Sequence, residues 1–301
     1  MMRPLSPTKI ALIATTLPAL LLCESLALAA PGAPTPVAYT PSSYADVADV
    51  AVQSATIVDA RIRRVRVVEA ARAVGVPAHL VRLYIEADVG AVLYGRDPVA
   101  ARVAYITDQP RLANGRAPRL GRQRVLLFAR NVAVTNQLQL VQPGAQLLWD
   151  AERDFTARAI AAEMARGSPP PAITGISQAF HVAGTVEGES ETQIFLSTTS
   201  GQPISLTILR RPGQGPLWAV AFGEIVDESA RIPARRSLGG YRLACGLPAR
   251  LPSAAVTTSS AEDVRAIVRD YAIVTSAIGA CDRTPPLPPA YPPPASPPPA
   301  R

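Results

Sequence analysis

Lysine is nearly missing from this 301-residue chain: Lys9 is the only one, so every other fixed cation is an arginine. A single lysine in an N-terminal leader leaves no Ser-x-x-Lys acyl-enzyme site, no phosphate-loop lysine and no Schiff-base site. Histidine is limited to His79 and His181, too few for a His-Glu-x-x-His motif or a three-histidine metal centre. The three cysteines, Cys23, Cys245 and Cys281, form no Cys-x-x-Cys pair, and neither Gly-x-Ser-x-Gly nor a dinucleotide-type Gly-x-Gly-x-x-Gly occurs. Aromatic residues make up 5% of the chain, too few for a sugar-stacking platform or the interleaved surface of a single-strand nucleic-acid binder. Most enzyme classes fall away on these absences. No cofactor, metal site or nucleic-acid partner is expected.

What is present begins with a leader. Arg3 and Lys9 precede the apolar run Ile10–Leu22, and Ala27-Leu28-Ala29 supplies the small residues of a cleavage site. Met1–Ala30 therefore reads as a secretory signal peptide cut after Ala29 or Ala30. A retained anchor would need about 20 apolar residues, whereas Pro18 interrupts the run and Glu24 closes it. Leu20-Leu21-Leu22-Cys23 approaches a lipoprotein box, but Leu22 is not the small residue such a box requires. No later run is long and apolar enough to span a bilayer. A periplasmic or secreted protein, with no membrane span after processing, is expected.

The remaining cysteines fit that compartment. Cys245 and Cys281 are an even pair in an oxidising environment and are expected to form a disulfide, stabilising the fold by about 3–4 kcal/mol in the loop-entropy model. The formal net charge is +7. An arginine-only basic surface suits bidentate contact with phosphate or carboxylate, although a GC-rich genome gives the same bias.

With 48% hydrophobic residues the chain has ample material for a packed core. Residues 31–43 form a Pro-rich leader. Ala45–Gln53 suits a short helix or turn, and from Thr56 the period switches to two. In Ile57–Val68 the inward face runs Val58, Ala60, Ile62, then resumes one residue out of phase at Val65 and Val67, as a β-bulge at Arg63-Arg64 requires. His79–Val89 alternates cleanly, and Ala101–Thr107, Arg124–Ala129 and Leu138–Val141 follow as strands. Five strands without crossover helices predict an antiparallel barrel or sandwich over 44–150. Ala151–Arg166 reads as a helix with Asp150 as N-cap and a buried stripe of Phe155, Ala159, Ala162 and Met164, linking the units over 151–170.

The second unit, 171–282, is read as α+β. Its strands are Ile173–Val182, Thr192–Thr198, Ile204–Arg210, Trp218–Val226 and Leu238–Cys245. The closing helix Glu262–Ala280 is capped by Ser259 or Ser260. Residues 283–301 are a polyproline-like tail, a spacer or a Pro-x-x-Pro ligand. The fold class is thus α+β, predominantly antiparallel β: an OB-like barrel, then a smaller α+β unit with a C-terminal helix.

Val92-Leu93-Tyr94-Gly95 and Gly121…Val125-Leu126-Leu127-Phe128-Ala129, after the long strand at Thr56–Val68, resemble the "V…V..VLKG … G..YLVFA" signature of OB-like barrels in netrin-module and metalloproteinase-inhibitor-type domains. Tyr94 stands where that pattern has lysine, and the cysteines that staple such modules are missing. The resemblance implies an OB-like fold and adds an inhibitor-like module to the functional readings. As a whole the chain resembles exported proteins of alphaproteobacterial type.

Three constellations could carry chemistry. Arg111, Arg116, Arg119, Arg122, Arg124 and Arg130 gather around one loop and the strand after it, with Arg61, Arg63, Arg64 and Arg66 as potential neighbours; Arg119, Arg122 and Arg124 are the candidate contacts for an anionic envelope component. The alternative is a solvated basic edge paired with Glu86 and Asp88. His181 is the one weak catalytic candidate, with Ser177 or Ser190 as nucleophile and Glu189 as orienting carboxylate. Glu187, Glu189 and Glu191 form an acidic loop suited to Ca²⁺ or to a solvated strand edge. The expected function is a non-catalytic exported envelope protein of binding or scaffolding type. The alternatives are a periplasmic hydrolase using His181 and an inhibitor-like module.

Overall fold

The first helix, α1 (Tyr44–Ala51), opens on a reciprocal capping box: Ser43 Oγ accepts from the Asp46 amide at 3.1 Å, and the Asp46 carboxylate accepts from the Ser43 amide at 2.9 Å. The computed structural model describes residues 42–132, 134, 136–223 and 231–284. The expected signal peptide with its cleavage site at Ala29 or Ala30, nearly all of the leader, and the tail from residue 285 lie outside the described residues.

The chain then forms β1 (Thr56–Val67), β2 (Leu80–Tyr94), β3 (Arg102–Pro110), β4 (Arg124–Asn131), β5 (Leu138–Leu140) and β6 (Gln146–Leu148). They make one sheet in the order β3-β2-β1-β4-β5, with β6 also on β4. Every named strand pair is antiparallel. A parallel bridge between Ala104 and Gln137, with the Ala104 amide donating to the Asn136 carbonyl at 2.8 Å, brings β3 back to the β5 side. The sheet is therefore a nearly closed barrel, one of the two architectures that the strand spacing allowed. The β1–β2 register slips between Ile62 and Arg64, which is the bulge read from Arg63-Arg64.

Val125 to Ala129 are all fully buried, which explains why this strand reads as an unbroken apolar run. Their core includes Ile57, Ile62, Leu83 and Ile85 from the barrel, α1, and α2 (Ala151–Arg166). α2 has its predicted bounds, and the Asp150 carboxylate accepts from the Arg153 amide at 2.8 Å. Its buried stripe differs from the expected one. Phe155 is 70% exposed, while Arg153, Thr156, Ala157, Ile160, Ala161 and Met164 are buried. Arg153 tolerates burial because it donates to Ser42 Oγ at 3.0 Å and to the Leu148 carbonyl at 2.5 Å.

A second antiparallel sheet has the order β10-β9-β8-β7, from β7 (Ile173–Ala183), β8 (Ser190–Thr198), β9 (Ile204–Arg210) and β10 (Leu217–Ala221). One face packs under α4 (Ala261–Ile278), through Ile194, Leu196, Leu206 and Ile208 against Ile267, Tyr271, Val274 and Ile278. Ser260 caps α4, its Oγ accepting from the Asp263 amide. The expected strand at Leu238–Cys245 is instead a helix, α3 (Leu238–Gly246), capped by Ser237. Gly240 is the position that requires glycine: a Cβ there would stand 2.2 Å from the Ala234 carbonyl. The Cys245–Cys281 disulfide joins the end of α3 to the residues just beyond α4, so it links two helices and not a strand to a helix.

Beyond that disulfide the chain straps onto α1. Asp282 accepts from the Tyr44 and Ala45 amides at 3.3 and 3.2 Å, Arg283 forks onto Asp49 at 2.5 and 2.7 Å, and Thr284 donates twice to Asp46. Among the described residues no helix is long and apolar enough to cross a membrane.

Candidate functional site

The β3–β4 connector carries the arginine-rich loop, and its backbone is tightly held. Leu112 N–H donates to the Arg116 carbonyl at 2.9 Å and Gly115 N–H to the Leu112 carbonyl at 2.8 Å, forming a short hairpin tip. Leu120 is buried in the barrel core and anchors the returning arm. Past the last β1–β4 pair, Arg61 opposite Arg124, the Ile62 amide donates to the Gln123 carbonyl at 2.8 Å and the Arg122 amide to the Ile62 carbonyl at 3.0 Å. The loop is thus stitched to β1 beside the bulge. Arg122 pays for this connection in backbone conformation: with φ at 68° it is the one non-glycine residue at positive φ among the described residues.

The arginines divide into two groups. Arg124 forks onto the buried Asp59 carboxylate at 2.9 and 2.5 Å and lies 4.0 Å over the Trp149 ring, so its guanidinium is largely committed within the protein. Arg63 and Arg102 pair with Asp88 at 3.4 and 2.9 Å, and Arg64 pairs with Glu86 at 3.8 Å. The Arg102 hydrogen bond, outweighing partial desolvation, holds the Asp88 carboxyl below the usual carboxylate range. Arg111 donates to the carbonyls of Ala78, Leu80 and Gly115, stapling the loop to the neighbouring β1–β2 connector. Among the described residues, Arg61, Arg66, Arg116, Arg119 and Arg122 have no acidic partner, and all five are exposed. Arg61 is drawn to Arg122, donating to its carbonyl at 3.3 Å.

Of the predicted contacts, then, Arg119 and Arg122 remain outward and unpaired, while Arg124 faces Asp59 and Trp149. Arg61 belongs with the loop pair. It lies opposite Arg124 at the end of the β1–β4 ladder, which places it beside the Arg122 carbonyl.

His181 sits in a different constellation from the one expected. Its Nδ1 is 2.8 Å from Thr192 Oγ1, directly across the β7–β8 ladder, and Thr192 Oγ1 donates to Asp270 Oδ2 at 2.6 Å. Arg210 holds the other oxygen of Asp270 through Nε at 3.0 Å and through Nη2. Because the single Thr192 hydroxyl proton is committed to Asp270, the imidazole must donate from Nδ1. Ser177 donates to the Phe195 carbonyl at 3.1 Å, and Ser190 lies opposite Ala183, so neither is hydrogen-bonded to His181 among the described residues. Thr192, Asp270 and Arg210 were missed. The available signal was Asp270, a carboxylate inside the apolar stripe Ile267, Tyr271, Val274 of α4.

In the acidic loop, Glu191 accepts from Gln193 at 2.6 Å, and no group of three or more metal-ligating side chains forms among the described residues. No protein-family model matches this chain, and comparison with curated proteins finds no match.

Proposed function

We propose that this protein is a non-catalytic binding or scaffolding body of the cell envelope, exported to the periplasm or beyond, whose arginine-rich loop engages an anionic partner. One observation carries the reading: Arg122 is held in a left-handed backbone and, with Arg61 and Arg119, is exposed with no carboxylate partner among the described residues. Holding an arginine where glycine would be easier costs of order 1 kcal/mol, and such strain gathers at ligand-contacting positions. Three unpaired guanidiniums on one stitched surface favour a partner that presents several negative charges. The disulfide agrees with an oxidising compartment.

The test is retention on immobilised polyphosphate as a function of salt. In the triple variant Arg61→Gln, Arg119→Gln, Arg122→Gln, retention is expected to weaken, and the slope of log affinity against log salt to fall by roughly one per arginine removed. An unchanged slope would sink the proposal.

The hydrolase alternative has one observation in its favour, the His181–Thr192–Asp270 chain, which resembles the orienting half of a triad. Among the described residues neither Ser177 nor Ser190 is hydrogen-bonded to His181, and the Thr192 hydroxyl beside it is buried and donates to Asp270. A hydrolytic activity lost in His181→Ala would favour it over the binding reading.

A further inference from the structure

The arginine loop has an amphiphilic end. Val74 is 83% exposed, the highest value among the exposed large apolar residues, and Leu112 and Val67 are 44% and 57% exposed. Val74 occupies a tight turn in the β1–β2 connector: Val76 N–H donates to the Ala73 carbonyl at 3.2 Å, and Gly75 supplies the positive φ of 78° that the turn requires. Leu112 begins the hairpin tip of the arginine loop. The two connectors meet at Arg111, whose amide donates to the His79 carbonyl at 2.9 Å and whose guanidinium donates to Ala78, Leu80 and Gly115. Arg66, Arg72 and Arg116 are exposed around them, and Glu69 is the single acidic residue of the two connectors, 4.0 Å from Arg72.

Two exposed aliphatic side chains on hydrogen-bonded turns, in connectors that carry the exposed Arg72 and Arg116, are poorly suited to a protein partner. A stable protein interface needs on the order of 1,200 Å² of complementary surface and is anchored by packed aromatic or arginine side chains. A fluid anionic surface accepts such tips directly. The aliphatic groups enter the headgroup–acyl boundary while arginines meet phosphates, each basic residue near the surface strengthening attachment by roughly fivefold. We propose that the Val74 and Leu112 tips dock this protein onto a bilayer containing acidic phospholipid. The inference rests on the anionic-partner reading and narrows that partner to a lipid surface.

The experiment compares the full chain on two probes: vesicles of equimolar phosphatidylcholine and phosphatidylglycerol, and soluble polyphosphate. Wild type is expected to sediment with the vesicles and not with phosphatidylcholine alone. The double variant Val74→Ser, Leu112→Ser is expected to partition about tenfold more weakly, while polyphosphate binding is unchanged. Both side chains are exposed, and a circular-dichroism spectrum matching wild type confirms the fold. In a Val74→Trp variant, lipids brominated near the headgroup should quench emission beyond the background from Trp149 and Trp218. Vesicle binding unaffected by the serine substitutions would overturn the insertion. Binding to polyphosphate with none to vesicles would overturn the lipid assignment and leave the broader reading standing. Binding to neither probe would remove both.

Discussion

Asp270 is completely buried on α4, and its charge is met from two sides by the Arg210 guanidinium and the Thr192 hydroxyl. A buried ion pair adds little net stability when intact, but breaking it strands a charge in a low-dielectric interior. Arg210→Ala, which leaves the buried Asp270 carboxylate without its guanidinium, is therefore expected to lower stability by about 3 kcal/mol, read as a reduced midpoint in urea unfolding, whereas His181→Ala at the half-buried end should cost about 1 kcal/mol. Equal costs would mean that the chain is not anchored at Asp270. This network was only partly legible in sequence. His181 drew attention as a rare residue, yet its partners come from β8, β9 and α4, and no local pattern announces a contact spanning that many elements. Arg124 misled for a related reason. It belongs to an arginine-rich run, but the strand register sets it beside Asp59, and tertiary pairing outweighs membership of the run.

At the scale of elements, the strap after Cys281 controls how α1 is held. Burial alone would raise the Asp49 carboxyl, but hydrogen bonds from Arg283 and Tyr241, together with the Arg283 charge, bring it below the ordinary value of 3.8. Burial, and then the hydrogen bond to Asp49, pushes the Tyr241 hydroxyl up to about 12. A depressed carboxylate stabilises the fold above the unfolded value, and that contribution disappears as pH falls through the folded one. Arg283→Ala should therefore cost about 1 kcal/mol near neutrality for this partly exposed pair. The gap in thermal midpoint from wild type should close in acid below 3.8. A gap independent of pH would show that the strap holds through packing.

Elements also show where sequence reading succeeds. α2 and α4 were legible because Asp150 and Ser260 cap them and Gly167 ends α2, whereas α4 stops at Ile278 before Gly279, short of the expected Ala280. α3 was not, because Tyr241, Leu243 and Cys245 alternate as a strand would, and a glycine pair costs a helix about 1 kcal/mol per residue. The close approach of Gly240 to the Ala234 carbonyl explains the glycine that local propensity disfavours. Three-residue β6 gave no periodic signal at all.

At the scale of the whole molecule, two sheets with separate cores divide the candidate chemistry between them. The barrel carries the unpaired arginines and the exposed loop tips, while the second sheet carries the buried His181 chain. The barrel was legible because a bulge and period-two alternation mark β1 and β2 and an unbroken apolar run marks β4. The arrangement at its arginine-bearing end was less so, since exposure of Val74 and pairing of each arginine depend on how the connectors stack. The most direct measurement is hydrogen–deuterium exchange on the full chain with and without polyphosphate. Engagement through the arginine loop predicts slowed exchange in residues 111–123 and across the β1 bulge at 61–64, with the second sheet unchanged. Protection confined to the strands around His181 and Thr192, or no protection under conditions where polyphosphate binds, would contradict it.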